Sequence, residues 1–285
     1  IIGNGQLCAR AAGVRRTFLA RVGLRLPGLG FRLEAPRSFR RLMQKDHDAL
    51  QRRFKDGVTD AAHALSTWGG RTEHQAQLAQ FDGLTLHVPP GVFVPRRSAL
   101  PIVQAAHAAC QGFADGRLLD CGTGSGCIAL ALLRRLPRVT AVAIDADPNA
   151  VACATRNAKD LNLAGRCEVH QLRFSELHDL NAAEPQRFSV AVSNPPYLPK
   201  RLMEHVGFAR ELQSQSVHAF AAGEDGLGAY EELAQNLPQV LRDSAVVVMG
   251  CQPGKAEWAA QPFVSRGYEA LELQAECAVL RWTQK

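Results

Sequence analysis

Arg117-Leu118-Leu119-Asp120-Cys121-Gly122-Thr123-Gly124-Ser125-Gly126-Cys127 decides the fold. A short apolar run ends in an acid, a glycine-rich turn follows, and Ile128 to Leu136 then read as a helix. Strand, glycine loop and helix open a nucleotide-binding α/β unit. The glycines let backbone amides approach a ligand closely, and the helix N-terminus favours negative charge. Asp120, Gly122, Thr123, Gly124 and Gly126 are the first candidate binding residues.

Downstream, Val139 to Asp145 reads as a second buried strand. It ends in an acid roughly 20 residues past the loop, where a carboxylate would grip ribose hydroxyls. Asp147-Pro148 already supplies an N-cap and an N1 proline to the next helix, Pro148 to about Leu161. Asp145 is thereby left for a ligand. Glu168 to Leu172 and Phe188 to Val192 are the third and fourth strands. A helix over Glu224 to Leu241, a strand over Ala245 to Met249 and a helix over Lys255 to Val264 follow. Tyr268 to Leu273 and Cys277 to Trp282 close the chain as a hairpin-like pair. The alternation predicts an α/β fold: a doubly wound, mostly parallel, Rossmann-like sheet with an antiparallel edge. Ligands in such sheets lie at the carboxyl ends of the strands. Asp120, Asp145, Arg173 and Asn194 all fall there, so one crevice would collect them.

The fourth strand runs into Ser193-Asn194-Pro195-Pro196-Tyr197. A residue before proline avoids the helical region, and two prolines stiffen the loop. The Asn194 side-chain oxygen and the Pro195 carbonyl would point outward as paired acceptors, with the Tyr197 ring beside them. That suits a planar group carrying an NH2.

The remaining sequence sets the surroundings. Hydrophobic residues make up 46% of the 285 and charged residues 21%, as in an ordinary soluble globular protein. No apolar run approaches the roughly 20 residues of a membrane span. The net charge of +6 tilts the protein mildly toward acidic partners such as RNA. Residues 1–45 concentrate arginine, from Arg10 to Arg41, against a single acid, Glu34. That is the signature of an organelle transit segment or, if retained, of a basic arm on RNA phosphates. Leu50, Phe54, Val58, Ala61 and Leu65 recur at helical steps. They mark residues 46–80 as a small helical unit suited to holding a macromolecule. Residues 81–97 read as a hairpin linker around Asp82-Gly83, and 98–285 as the main domain. The eight scattered cysteines lack metal-ligand spacing and read as reduced core residues.

In this order, Asp120, Gly122-Thr123-Gly124-Ser125-Gly126, Asp145 and Asn194-Pro195-Pro196-Tyr197 resemble the class I S-adenosylmethionine-dependent methyltransferases of amide or amino nitrogen. Leu118 to Leu130, Val192 to Leu198, Ala221 to Leu227 and Phe81 to Arg96 are similar to segments of the release-factor glutamine methyltransferases, the HemK/PrmC type. The resemblance implies S-adenosylmethionine as cofactor and a glutamine side-chain amide of a release factor or ribosomal protein as acceptor. It implies donor-side contacts at Asp120, the loop, Asp145, Arg173, Phe174 and Asn194. Substrate contacts would come from Asn194, Pro195, Pro196, Tyr197 and Arg96, with Asn194, Pro195 and Tyr197 carrying the transfer. Three stretches depart from the family pattern: Arg97-Ser98-Ala99-Leu100, Arg173-Phe174 and Gln215-Ser216. These departures and the basic arm keep open a weakened or inactive scaffold in a mitochondrial ribosome or its assembly. A second alternative is a nucleic-acid adenine methyltransferase, since the Asn194-Pro195-Pro196-Tyr197 loop also suits exocyclic base amines. With the arginine-rich segment, the expected location is mitochondrial, otherwise cytoplasmic, with rRNA contact through the basic arm and no membrane partner.

Overall fold

A computed structural model of the chain describes residues 76–113, 116–180, 187–197 and 226–283. All of them fall in the unit Arg71–Lys285. The basic segment 1–45, the helical pattern up to position 75, and the Gln215-Ser216 and Ala221–Asp225 positions lie outside the described residues.

The first elements are strands β1 (Gln77–Phe81) and β2 (Leu84–Val88), paired antiparallel. Asp82 and Gly83 both have positive φ, 49° and 74°, as the tight two-residue hairpin turn requires. The pair differs from the sequence reading in two ways. It begins at Gln77 rather than Phe81, so the last positions assigned to the helical unit form a strand. It is also no mere linker. Phe81, Leu84, Leu86 and Val88 are buried in one apolar cluster with Leu130, Leu132 and Leu133. Alternation at period two buries every second residue of β2, which fixes this face. A short 3-10 turn, Arg97–Ala99, then leads into α1 (Leu100–Gln111).

Next come β3 (Arg117–Cys121), α2 (Cys127–Arg135), β4 (Thr140–Asp145), α3 (Pro148–Asp160), β5 (Cys167–Gln171) and β6 (Phe188–Ser193). The Asp147 side chain accepts the Asn149 amide at 2.9 Å, confirming the cap read from Asp147-Pro148. The last elements are α4 (Gly228–Asn236), β7 (Leu241–Gly250), α5 (Ala256–Val264), β8 (Glu269–Leu273) and β9 (Cys277–Arg281). The helix expected to reach Leu241 stops at Asn236. Pro238 cannot continue an α-helical ladder, so Leu237–Gln239 tighten into a 3-10 turn and Leu241 opens the strand.

Seven strands form one sheet in the order β5-β4-β3-β6-β7-β9-β8. The first five are mutually parallel, and β9 runs antiparallel to both β7 and β8. This is the predicted doubly wound sheet with its antiparallel edge. Successive residues of the buried strands supply opposite faces. Leu118 joins the cluster under the hairpin, α1 and α2; Leu119 joins the cluster under α4 and α5. The strand order reverses between β3 and β6, and in such sheets ligands lie at the carboxyl ends on either side of that reversal.

Candidate active site

The glycine loop is built from β3 outward. Asp120 is buried, and its Oδ2 accepts the Thr123 hydroxyl at 2.8 Å and the Ala129 amide at 3.2 Å. One carboxylate thus braces both the loop and the first turn of α2. Its other oxygen, Oδ1, is buried without a hydrogen-bond partner. Burial pushes the Asp120 carboxyl up to about 6, with the neighbouring Asp145 charge adding to this and the two hydrogen bonds opposing it. The amides of Gly122 and Thr123 both donate to the Ile144 carbonyl at 2.9 Å, pinning the loop to the end of β4.

Gly122, Gly124 and Gly126 all occupy the left-handed region, with φ of 72°, 57° and 82°. Only glycine enters it freely. Their surroundings differ. A Cβ at Gly126 would meet Leu130 and Ala154 at 3.0 and 3.3 Å, so that glycine packs the loop onto its helices. A Cβ at Gly122 would meet the Phe174 ring at 3.4 Å. A Cβ at Gly124 would meet nothing within 4 Å. The loop is closed beneath and open above.

Asp145 is half-buried at the last position of β4. Its Oδ2 accepts the Gly124 amide at 2.9 Å and its Oδ1 the Asp147 amide at 3.0 Å. It is therefore less free than Asp147-Pro148 suggests, since it also shapes the loop. Each oxygen keeps a second lone pair. Burial raises its carboxyl, and the hydrogen bonds lower it. Past β5, Arg173 is exposed, and its backbone amide donates to Glu176 Oε2 at 2.9 Å. Phe174, half-buried, is the member of that pair that approaches the loop.

The proline corner leaves β6 beside this loop. Ser193 pairs with Cys121 in register, and its hydroxyl donates to the Cys121 carbonyl at 2.7 Å. Asn194, Pro196 and Tyr197 are half-buried, and Pro195 is buried. Tyr197 is anchored from one side. Its ring packs against the apolar cluster below the sheet. Burial raises its phenol, and Arg96 works the other way. Arg96 thus acts electrostatically on the corner, while its guanidinium lies 5.0 Å from the Phe93 ring centre.

The donor set fits a nucleoside with a charged tail. Backbone curved by three left-handed glycines, open space above Gly124 and a strand-end carboxylate with spare lone pairs meet past the carboxyl ends of β3 and β4. The family described as "Methyltransferase small domain" matches residues 84–224. The release factor glutamine methyltransferase of Moorella thermoacetica is 32% identical over 233 residues, covering 81% of this chain and 78% of that protein. The chain belongs to the release factor glutamine methyltransferase family. The Geobacter sulfurreducens member is 34% identical over 198 residues, 66% of this chain and 63% of that one. The hMettl16 catalytic domain, solved in complex with a 3'UTR hairpin, shares the fold with a TM-score of 0.52 at 17% identity. That likeness covers 70% of this chain and 76% of the other. This member of the methyltransferase family uses S-adenosylmethionine as its cofactor.

Other parts of the site were not singled out from the sequence. Asn157, buried on α3, accepts the His87 amide at 2.8 Å and donates to the carbonyls of His87 at 3.0 Å and Ser125 at 2.9 Å. From a position 70 residues beyond His87, it ties β2 to the glycine loop. Tyr230 on α4 donates to the Gly250 carbonyl at 2.8 Å. Helical spacing marks Tyr230 as a core residue but carries no sign of this bond.

Proposed function

We propose that the protein transfers the methyl group of S-adenosylmethionine to the side-chain amide nitrogen of a glutamine in a translation release factor. The observation that carries this reading is the Ser193–Cys121 hydrogen bond. It sets the amide-accepting corner one residue from the strand that launches the glycine loop. The acceptor names of the relatives add the substrate class.

When bound, S-adenosylmethionine supplies a methyl group on a sulfonium, ready for attack by a nucleophile. The glycine loop holds its backbone, and Asp145 offers acceptors to the ribose diol. Asn194 Oδ1 and the Pro195 carbonyl take the two amide hydrogens of the glutamine, fixing its plane. The prolines keep that pair rigid, and Tyr197, held neutral by burial, walls one side. The corner would hold the glutamine nitrogen toward the methyl group of bound S-adenosylmethionine, whose sulfonium would take up the electrons of the S–C bond, and the nitrogen's displaced proton would leave to solvent. An amide is a poor nucleophile, so positioning does the work; oriented reactants gain about 7–11 kcal/mol. The activity named for the relatives supports catalysis over a binding-only scaffold.

The test mixes the protein, S-adenosylmethionine and a purified release factor, followed by peptide mass spectrometry. One methyl group on a glutamine is expected, and N194A should slow its transfer about 1,000-fold while leaving a measurable rate. Methyl transfer to nucleic acid alone would overturn the reading. The proposal extends to place. The arginine-rich, acid-poor segment 1–45 supports delivery to mitochondria, and a fluorescent fusion confined to the cytosol would refute that.

A further inference from the structure

Gly250 is the last residue of β7, paired in register with Cys277 of β9. It is absent from the glycines with left-handed backbone. Conformation therefore does not explain a glycine here, and space does. A Cβ at Gly250 would fall 2.5 Å from Asn194 Oδ1 and 2.5 Å from Ile102 Cδ1. Real side chains essentially never approach so closely, so both neighbours would have to move. The Asn194 amide thus lies directly over the bare backbone of the adjacent strand. That backbone is itself held. The buried Tyr230 hydroxyl donates to the Gly250 carbonyl at 2.8 Å, and the Tyr230 ring rests edge-on against Trp258, centroids 5.5 Å apart.

We propose that Gly250 and Tyr230 are positioning residues for transfer: Gly250 provides the seat for the Asn194 amide, and Tyr230 fixes the height of that seat. The inference rests on the reading of Asn194 as the acceptor for the substrate amide. Asn194 follows an extended strand and precedes a proline, so its backbone has little freedom. Its side-chain torsions remain free to turn, and the floor at Gly250 sets where Oδ1 comes to rest. Ile102 Cδ1 is the flexible tip of a side chain on α1 and can yield without touching the reacting groups.

The full chain is assayed as G250A, Y230F and I102V, alone and combined with N194A. Turnover and KM are measured with a release factor, and S-adenosylmethionine affinity by calorimetry. G250A is expected to lower kcat about 100-fold and Y230F about 10-fold, with donor affinity within about twofold of wild type. On an N194A background both should cost almost nothing further. I102V should leave turnover unchanged and fail to rescue G250A. Rescue by I102V, additive losses on N194A, or a parallel loss of donor affinity would each overturn the proposal. If G250A does not fold, Y230F alone decides on the same criteria. The acceptor reading is tested separately, since undiminished turnover by N194A would sink it. The seat itself is then decided by urea unfolding. G250A is expected to destabilise the wild type more than it destabilises N194A, and equal losses would refute the collision.

Discussion

Asp145 Oδ2 accepts the amide of Gly124 at 2.9 Å, so the carboxylate at the end of β4 also holds the open glycine of the loop. Replacing Asp145 with asparagine removes the charge and one of two acceptor oxygens. A hydrogen bond to a charged group contributes about 1.5–3 kcal/mol. D145N should weaken S-adenosylmethionine roughly 10- to 100-fold by calorimetry. An unchanged affinity would remove Asp145 from the site.

Ser193 offers a sharper division between stability and chemistry. Its hydroxyl is buried and satisfies the Cys121 carbonyl. S193A leaves that carbonyl without its side-chain partner, and stability should fall by about 1–3 kcal/mol. Denaturant unfolding measures the loss. Turnover should fall more than the lost stability alone explains, because the corner loosens from the loop.

Asp120 gives the protein a pH dependence of definite sign. Its carboxyl is pushed from 3.8 to about 6, chiefly by burial. Between about pH 4 and pH 6 the native state therefore holds a proton that the unfolded chain has released. Stability from this group is full below pH 4, falls as pH rises through 6, and is flat above. The total is about 3 kcal/mol. D120N cannot titrate, so its stability relative to wild type should rise by about that amount from pH 4 to pH 7. Paired urea titrations across the range check this, and a constant difference would contradict it.

Asn157 joins three backbone groups of two separate elements. N157A should destabilise the fold by about 3 kcal/mol, since buried backbone groups lose their partners. It should also weaken S-adenosylmethionine, because Ser125 belongs to the loop. N157D keeps the acceptor but turns a carboxylate oxygen onto the carbonyls of His87 and Ser125, and it should cost at least as much as N157A. Calorimetry and denaturant unfolding on the same preparations separate the two effects.

The sheet was legible because its strands are short apolar runs with acids or polar residues at their ends. Leu118 to Asp120 and Val142 to Asp145 show this, and burial on both faces leaves such runs no other place. The candidate residues came together because strand ends in this topology converge. Most of the failures share one cause, which is contact between residues remote in sequence. Nothing near Leu86 shows that Asn157 takes up the strand edge beside it. Nothing near Gly250 shows that Asn194, 56 residues earlier, needs its missing side chain. The end of α4 was misread for a local reason. Leu237, Val240 and Leu241 continue an apolar pattern that Pro238 interrupts, and the breaker outweighed the periodicity.

The hairpin bears on how far the catalytic fold can be trimmed. Leu84 and Leu86 are almost wholly shielded from solvent by the helices they cover. A fragment starting at α1 would leave those helices with a greasy flank and free the Asn157 amide of its strand. It would be prone to self-association and slack at the donor loop. Any fragment library aimed at this enzyme should therefore keep the ribbon from Gln77 onward attached.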